Sequence, residues 1–253
     1  MMLLTISELS DYSIQATDGE IGDVDELYFQ HEGWRVRYLV VNLGNWLTRQ
    51  QVLIVPEVIT GIDSDNKNVV VNLTRQQIEN SPDILADMPV SREKEVLLHQ
   101  HFHWQPYWIG FPSEGMAYGT NAAVQNLPDQ SIYEHDVPEN DADFRQLLRS
   151  TKAVTGYTIQ ATDNDIGHVE DFIVDTDNWD IRYLIIDTRN WLPGRQVLVA
   201  ADWVQGIHWE ESAVKIALTK ERIENSPEYD PDRFNREYET RLYDHYDHPV
   251  YWD

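Results

Sequence analysis

Hydrophobic and polar positions alternate over short stretches of this chain, and the alternation predicts strands more often than helices. Tyr12 to Ala16 alternates weakly, and Asp18-Gly19 follows as a turn dipeptide suited to positive φ. Ile21 to Phe29 opens with apolar residues against acidic ones, the pattern of a half-buried strand. Gly22 inside that pattern predicts a bulge or a close backbone approach. His31-Glu32-Gly33 turns the chain into Trp34 to Leu43, the strongest predicted strand, whose YLVVNL run predicts burial on both faces. Arg49 to Pro56 and Val69 to Leu73 are further strands. Thr74 then N-caps a short helix, TRQQIEN, with Gln77 completing a capping box, and the helix must stop near Ser81-Pro82. Short strands joined by tight turns predict a small antiparallel barrel.

This pattern is written twice. The segment YSIQATDGEIGDVDEL, from Tyr12, returns as YTIQATDNDIGHVEDF, from Tyr157, so that Gly22 matches Gly167 at an offset of 145. The offset holds without a gap to Pro82 and Pro227, taking Trp34 to Trp179, Arg37-Tyr38-Leu39 to Arg182-Tyr183-Leu184 and Asn45-Trp46-Leu47 to Asn190-Trp191-Leu192. Beyond the proline it becomes 144: Arg92 falls on Arg236, Glu95 on Glu239, Leu98 on Leu242 and Tyr107-Trp108 on Tyr251-Trp252. Two copies are too few for a solenoid, so the pattern predicts tandem domains. The expected organisation is a first barrel with a helical tail over residues 1–108, a Pro-bearing linker over 109–143, and a second barrel with its tail over 144–253. The fold class is mainly β with flanking helices: two tandem small antiparallel β-barrels, each followed by short helices and an aromatic tail.

Composition narrows the function. With 42% hydrophobic residues and nine Trp, the chain can fill two small cores. Its 44 acidic and 19 basic side chains leave a net charge of −25, which repels phosphate backbones and anionic lipid surfaces. Nucleic acid is therefore not an expected partner, and a basic protein fits the charge. There is no cysteine, which excludes thiol chemistry. No signal peptide or membrane span is read in the sequence, so a cytoplasmic protein without membrane insertion is expected.

The segments SELSDYSIQATDGEIGDVDELYF, WRVRYLVVNL and QVLIVP resemble the PRC-barrel family, over about Leu3 to Asn80 and again over Leu148 to Asn225. That family is named for the cytoplasmic domain of the photosynthetic reaction centre H subunit and includes the C-terminal domain of a ribosome maturation factor. The tails REKEVLLHQHFHWQPYW and REYETRLYDHYDHPVYW look like those of a bacterial subgroup carrying two such barrels. The resemblance implies a barrel of about six strands that docks to another protein, and it implies no catalysis. The reaction-centre subunit carries a membrane helix ahead of its barrel, and no such span is read here.

Candidate chemistry is sparse. There is no GxSxG, phosphate-binding glycine loop or HExxH. Asp23 and Asp25 share a strand face that could hold a cation, but the same pattern describes a solvated face. Asp63-Ser64-Asp65-Asn66 lacks the central Gly and terminal Glu of a calcium loop. His99 and His103 lie one helical turn apart, a chelating spacing, yet the second copy has Tyr243 and Asp247 there. His101 and His245 are better read as helix-end caps. No metal or cofactor is expected. Trp46 and Trp191, in the NWL segments, and the tails Tyr107, Trp108, Tyr251 and Trp252 are interaction candidates that packing would also explain. The expected function is a non-catalytic protein-interaction or scaffold module, its two barrels forming an internal pseudo-dimer, with homo-oligomers compatible. The alternatives are a small-ligand or metal-binding protein, or an assembly factor associated with a photosynthetic reaction centre.

Overall fold

A computed structural model describes residues 2–44, 50–82, 90, 92–108, 148–188 and 195–252. The chain opens with β1 (Leu3–Thr5) and a helical turn, α1 (Ile6–Leu9), which Thr5 and Glu8 close with a capping box. The first copy then forms β2 (Ser13–Ala16), β3 (Gly19–Gln30), β4 (Arg35–Leu43), β5 (Gln50–Ile54), β6 (Ile59–Asp63) and β7 (Asn68–Val71). These six pair in the order β5-β4-β3-β2-β7-β6. All ladders are antiparallel except β2 with β7, which is parallel, a departure from the purely antiparallel pattern that alternation predicts. β5 and β6 lie at opposite ends of this order yet are consecutive in the chain, joined through one turn of 3-10 helix at Pro56–Val58. The chain itself therefore makes the closing corner, and no hydrogen-bonded ladder joins β5 to β6 among the described residues.

The curl has identifiable causes. Register shifts in β3 between Val24 and Glu26, and at the matched site in the second copy between Val169 and Asp171, mark a bulge in each long strand. Just before it, a Cβ on Gly22 would stand 2.2 Å from the Asn42 carbonyl oxygen, and one on Gly167 would stand 2.1 Å from that of Asp187. This is the close approach that the strand glycine predicts. The repeated Asp of the turn has a second task. Asp18 Oδ1 accepts from Arg75 N at 2.7 Å, capping α2 (Arg75–Glu79), and Asp163 Oδ1 does the same for Lys220 N, also at 2.7 Å. The longer tail helix α3 spans Arg92–Phe102.

The second copy begins with β8 (Leu148–Ser150) and α4 (Thr151–Val154). It continues through β9 (Thr158–Gln160), β10 (Asp165–Asp175), β11 (Asp180–Asp187), β12 (Gln196–Ala200), β13 (Val204–His208) and β14 (Ala213–Ile216). Its strand pairing repeats that of the first, including the parallel β9·β14 ladder. Two helices follow, α5 (Lys220–Glu224) and α6 (Arg236–Tyr246). The expected linker lies outside the described residues.

The first strand of each copy leaves its own sheet. β1 pairs with β10, Leu3 opposite Asp175 and Thr5 opposite Ile173, while β8 pairs with β3, Leu148 opposite Gln30 and Ser150 opposite Tyr28. These registers are the same register under the 145-residue offset. The exchanged helical turns seat beside carboxylates of the other copy, Glu26 buried and Asp25 and Asp171 half-buried. Ser7 N donates to Asp171 Oδ2 at 3.1 Å, Ser150 Oγ to Glu26 Oε2, and Lys152 Nζ lies 2.6 Å from Asp25 Oδ2. Between the arms, β4 meets β11 with Arg35 opposite Asp180, residues that are themselves matched at 145. Phe29 of one copy and Phe172 of the other lie 6.0 Å apart within one continuous hydrophobic core.

Candidate functional site

Each tail helix lays one face on its own sheet and buries a polar cluster there. In the first copy, Arg92, Glu95 and His99 occupy successive turns of α3 and point inward with Leu98. Glu95 Oε1 accepts from Tyr38 Oη of β4 and from Tyr107 Oη of the tail, both at 2.8 Å, and Arg92 Nη1 lies 3.0 Å from Glu95 Oε2. The Arg92 guanidinium stacks 3.9 Å over the Trp108 ring, and Arg37 lies 4.3 Å over Tyr107. The second copy rebuilds the cluster on α6. Glu239 Oε1 accepts from Tyr183 at 2.7 Å and Tyr251 at 2.9 Å, Arg236 lies 3.0 Å from Glu239 Oε2, and its guanidinium is 4.0 Å over Trp252.

The carboxylate is thus saturated by two phenols and a guanidinium. Glu95 is 2% exposed and Glu239 1%, so each carboxylate is shut off from solvent and clamps its tail, with Arg92 buried beside the first and Arg236 exposed beside the second. Burial raises Glu95 above the usual carboxylate range, with Arg92 pulling the other way. The copies differ at one position. His99 meets Tyr38 Oη at 2.9 Å, and burial lowers its imidazole from 6.5 to about 4. Tyr243 stands in its place, edge-on to Trp203 at 5.2 Å.

The structure sorts the remaining candidates. Tyr107, Trp108, Tyr251 and Trp252 are half-buried against their own copy's tail cluster. Trp46 and Trp191 lie outside the described residues. His99 is buried while His103 is exposed beyond the end of α3 with φ 58°, so the pair does not chelate. His245 Nε2 meets the Arg222 carbonyl at 2.7 Å, tying α6 to α5. Asp63 holds its own turn by accepting from Asp65 N, Asn66 N and Asn66 Nδ2. Asp23 and Asp25 separate in role: Ser13 Oγ donates to Asp23 at 2.8 Å, and Asp25 takes Gln51 and Lys152. Their second-copy counterparts His168 and Glu170, with Asp187 across the ladder, place ligand atoms within 4.8 Å of one another. Asp187 is buried and the other two are half-buried, but in so acidic a chain that grouping by itself defines no metal centre.

What the sequence alone did not reveal is convergence. Tyr38, Arg92, Glu95, Tyr107 and Trp108 each recur in the second copy, and recurrence of polar and aromatic residues at a fixed offset was the available signal.

A curled six-strand sheet with a glycine corner and a helical tail, built twice, defines a tandem small-barrel protein. The PRC-barrel domain matches residues 1–78 and 153–223, and the chain belongs to that family. None of the curated proteins compared with the chain matches it. Among the described residues no helix is long and apolar enough to cross a membrane.

Proposed function

We propose that this chain is a non-catalytic scaffold that docks other proteins through its acidic surface, basic partners above all. The observation that carries this reading is the division of its side chains. The tail carboxylates are locked in clamps, and Leu97 is the only large hydrophobic residue exposed among the described ones. What faces solvent is charge: Asp18, Glu20, Asp23 and Glu57 in the first copy, and Asp163, Asp165, Asp202 and Glu210 in the second. Such a surface favours association by electrostatic complementarity, which is steered at long range and weakened by salt. Membership in a family of small barrels supports the same reading. The test is affinity capture by the full chain from its source cells at low and at roughly 0.5 M salt, where the screening length falls to a few ångströms. Specific capture of a basic protein that salt releases is expected. Capture indifferent to salt, or turnover traced to the purified chain, would sink the proposal.

A further inference from the structure

Each repeat is completed by the other. β1 and α1 leave the first repeat to extend β10 and to place Ser7 N on Asp171, while β8 and α4 leave the second to extend β3. In the latter, Leu27 N donates to Thr151 Oγ1 at 3.1 Å in a buried contact. Ile6 and Leu9 of one arm and Val154 of the other are buried in the shared core. Identical registers at one fixed offset are the signature of a two-fold pair, in which every contact from the first repeat to the second recurs in reverse.

On the axis of such a pair a residue must meet its own equivalent, and Arg35 meets Asp180. Arg35 Nε donates to Asp180 Oδ1 at 3.0 Å, and Arg182 Nη2 lies 3.3 Å from Asp180 Oδ2. Pairing two first repeats would instead set Arg35 against Arg35, with Arg37 close to each. The neighbouring acid is missing there, because Gln30 stands where the second repeat has Asp175. Pairing two second repeats would oppose two Asp180 carboxylates, each still held by its Arg182. Like charges directly opposite in a ladder destabilise it.

We infer that the two repeats recognise each other as unlike halves of an arm-exchanged pair that holds together without the linker, and that Arg35 and Asp180 sort unlike halves from like. The recognition surface is therefore built for a second copy of the same fold, which goes beyond the docking of other proteins proposed above.

The test places a protease site within residues 112–140 of the full chain and cuts it after purification. The halves are expected to elute together as one particle of the intact mass at micromolar concentration. Arg35→Asp should weaken their association about tenfold, in line with losing one partly exposed ion pair and gaining a repulsion. Arg35→Asp with Asp180→Arg should restore it, which also shows that both sites tolerate the change. When two differently tagged batches of cut protein are unfolded and refolded together, every particle should contain one first and one second half. Halves that separate, a double variant as weak as the single one, or particles made of two first halves would each overturn the inference. No cellular partner enters the experiment, so its failure would leave the docking proposal standing and the reverse also holds.

Discussion

At the scale of single residues, the glycine of the corner is the least replaceable. A methyl at Gly22 or Gly167 would collide with a backbone carbonyl that is itself part of the β3·β4 or β10·β11 ladder, so neither strand can yield cheaply. Gly167 adds a φ of +146°, which side chains rarely adopt. Gly22→Ala and Gly167→Ala should each cost about 3 kcal/mol or more, at the upper end for overpacking, and chemical denaturation measures it. This constraint was legible in the sequence, because a glycine inside an alternating strand weakens it unless a bulge or a close backbone approach requires one. His99 gives a second prediction. Its folded-state pKa, about 4, lies below the ordinary 6.5, so the unfolded chain takes up the proton first. The stability that neutral His99 permits is complete above pH 6.5 and is lost as pH falls from there towards 4. Over that window the loss amounts to about 3 kcal/mol, at roughly 1.4 kcal/mol per pH unit. Glu95, raised by burial, works in the opposite sense, which is why the comparison must be with His99→Phe and not with absolute values. The variant should show a shallower decline in unfolding free energy between pH 7 and pH 4. An unchanged slope would mean that His99 is not held neutral by its site.

At the scale of elements, a tail helix with few apolar residues is held chiefly by polar groups. α3 buries Leu98 in the core and packs Phe102 partly against it, and its other buried residues are Arg92, Glu95 and His99. Removing the Glu95 carboxylate would take the ion pair from the buried Arg92 and one hydrogen bond each from Tyr38 and Tyr107. Glu95→Ala should therefore cost about 3–5 kcal/mol, the range for breaking a buried ion pair from one side, and Glu239→Ala less, about 2–3 kcal/mol, because its partner Arg236 is exposed to solvent. Trp108→Ala and Trp252→Ala remove half-buried rings stacked on a guanidinium and should cost less, about 2 kcal/mol. Thermal melts of the four variants rank them, and Trp variants costlier than the Glu variants would reverse the account of what holds the tail. Recurrence showed that these positions mattered, and helical spacing placed Arg92, Glu95 and His99 on one face. Neither could show that Tyr38, on a strand far away in sequence, rises to meet them, because nothing in a local pattern records which sheet a helix will cover.

At the scale of the whole molecule, the exchanged arms were hidden by the symmetry that made the repeat so visible. Under the offset of 145, Asp175 is the counterpart of Gln30 and Ile173 of Tyr28. Any pattern that lets β1 lie beside β3 therefore lets it lie beside β10 equally well, and local physics cannot distinguish the two. Geometry decides, and the consequence can be measured because it is non-local. Deleting residues 1–9 removes β1 and α1, with the buried side chains of Ile6 and Leu9. Burial of two such side chains is worth about 4 kcal/mol in all. For a chain of this size the melting temperature should fall by roughly 10 °C. The damage should appear in the other repeat. Amide hydrogen exchange should accelerate within Ile173–Asp175, which loses its outer partner, and should stay slow within Tyr28–Gln30, which keeps β8. The freed edge of β10 should also make the truncated protein prone to associate through that strand, as unpaired edges do. If exchange quickens in β3 and not in β10, the arm belongs to its own repeat and the exchanged pairing is wrong.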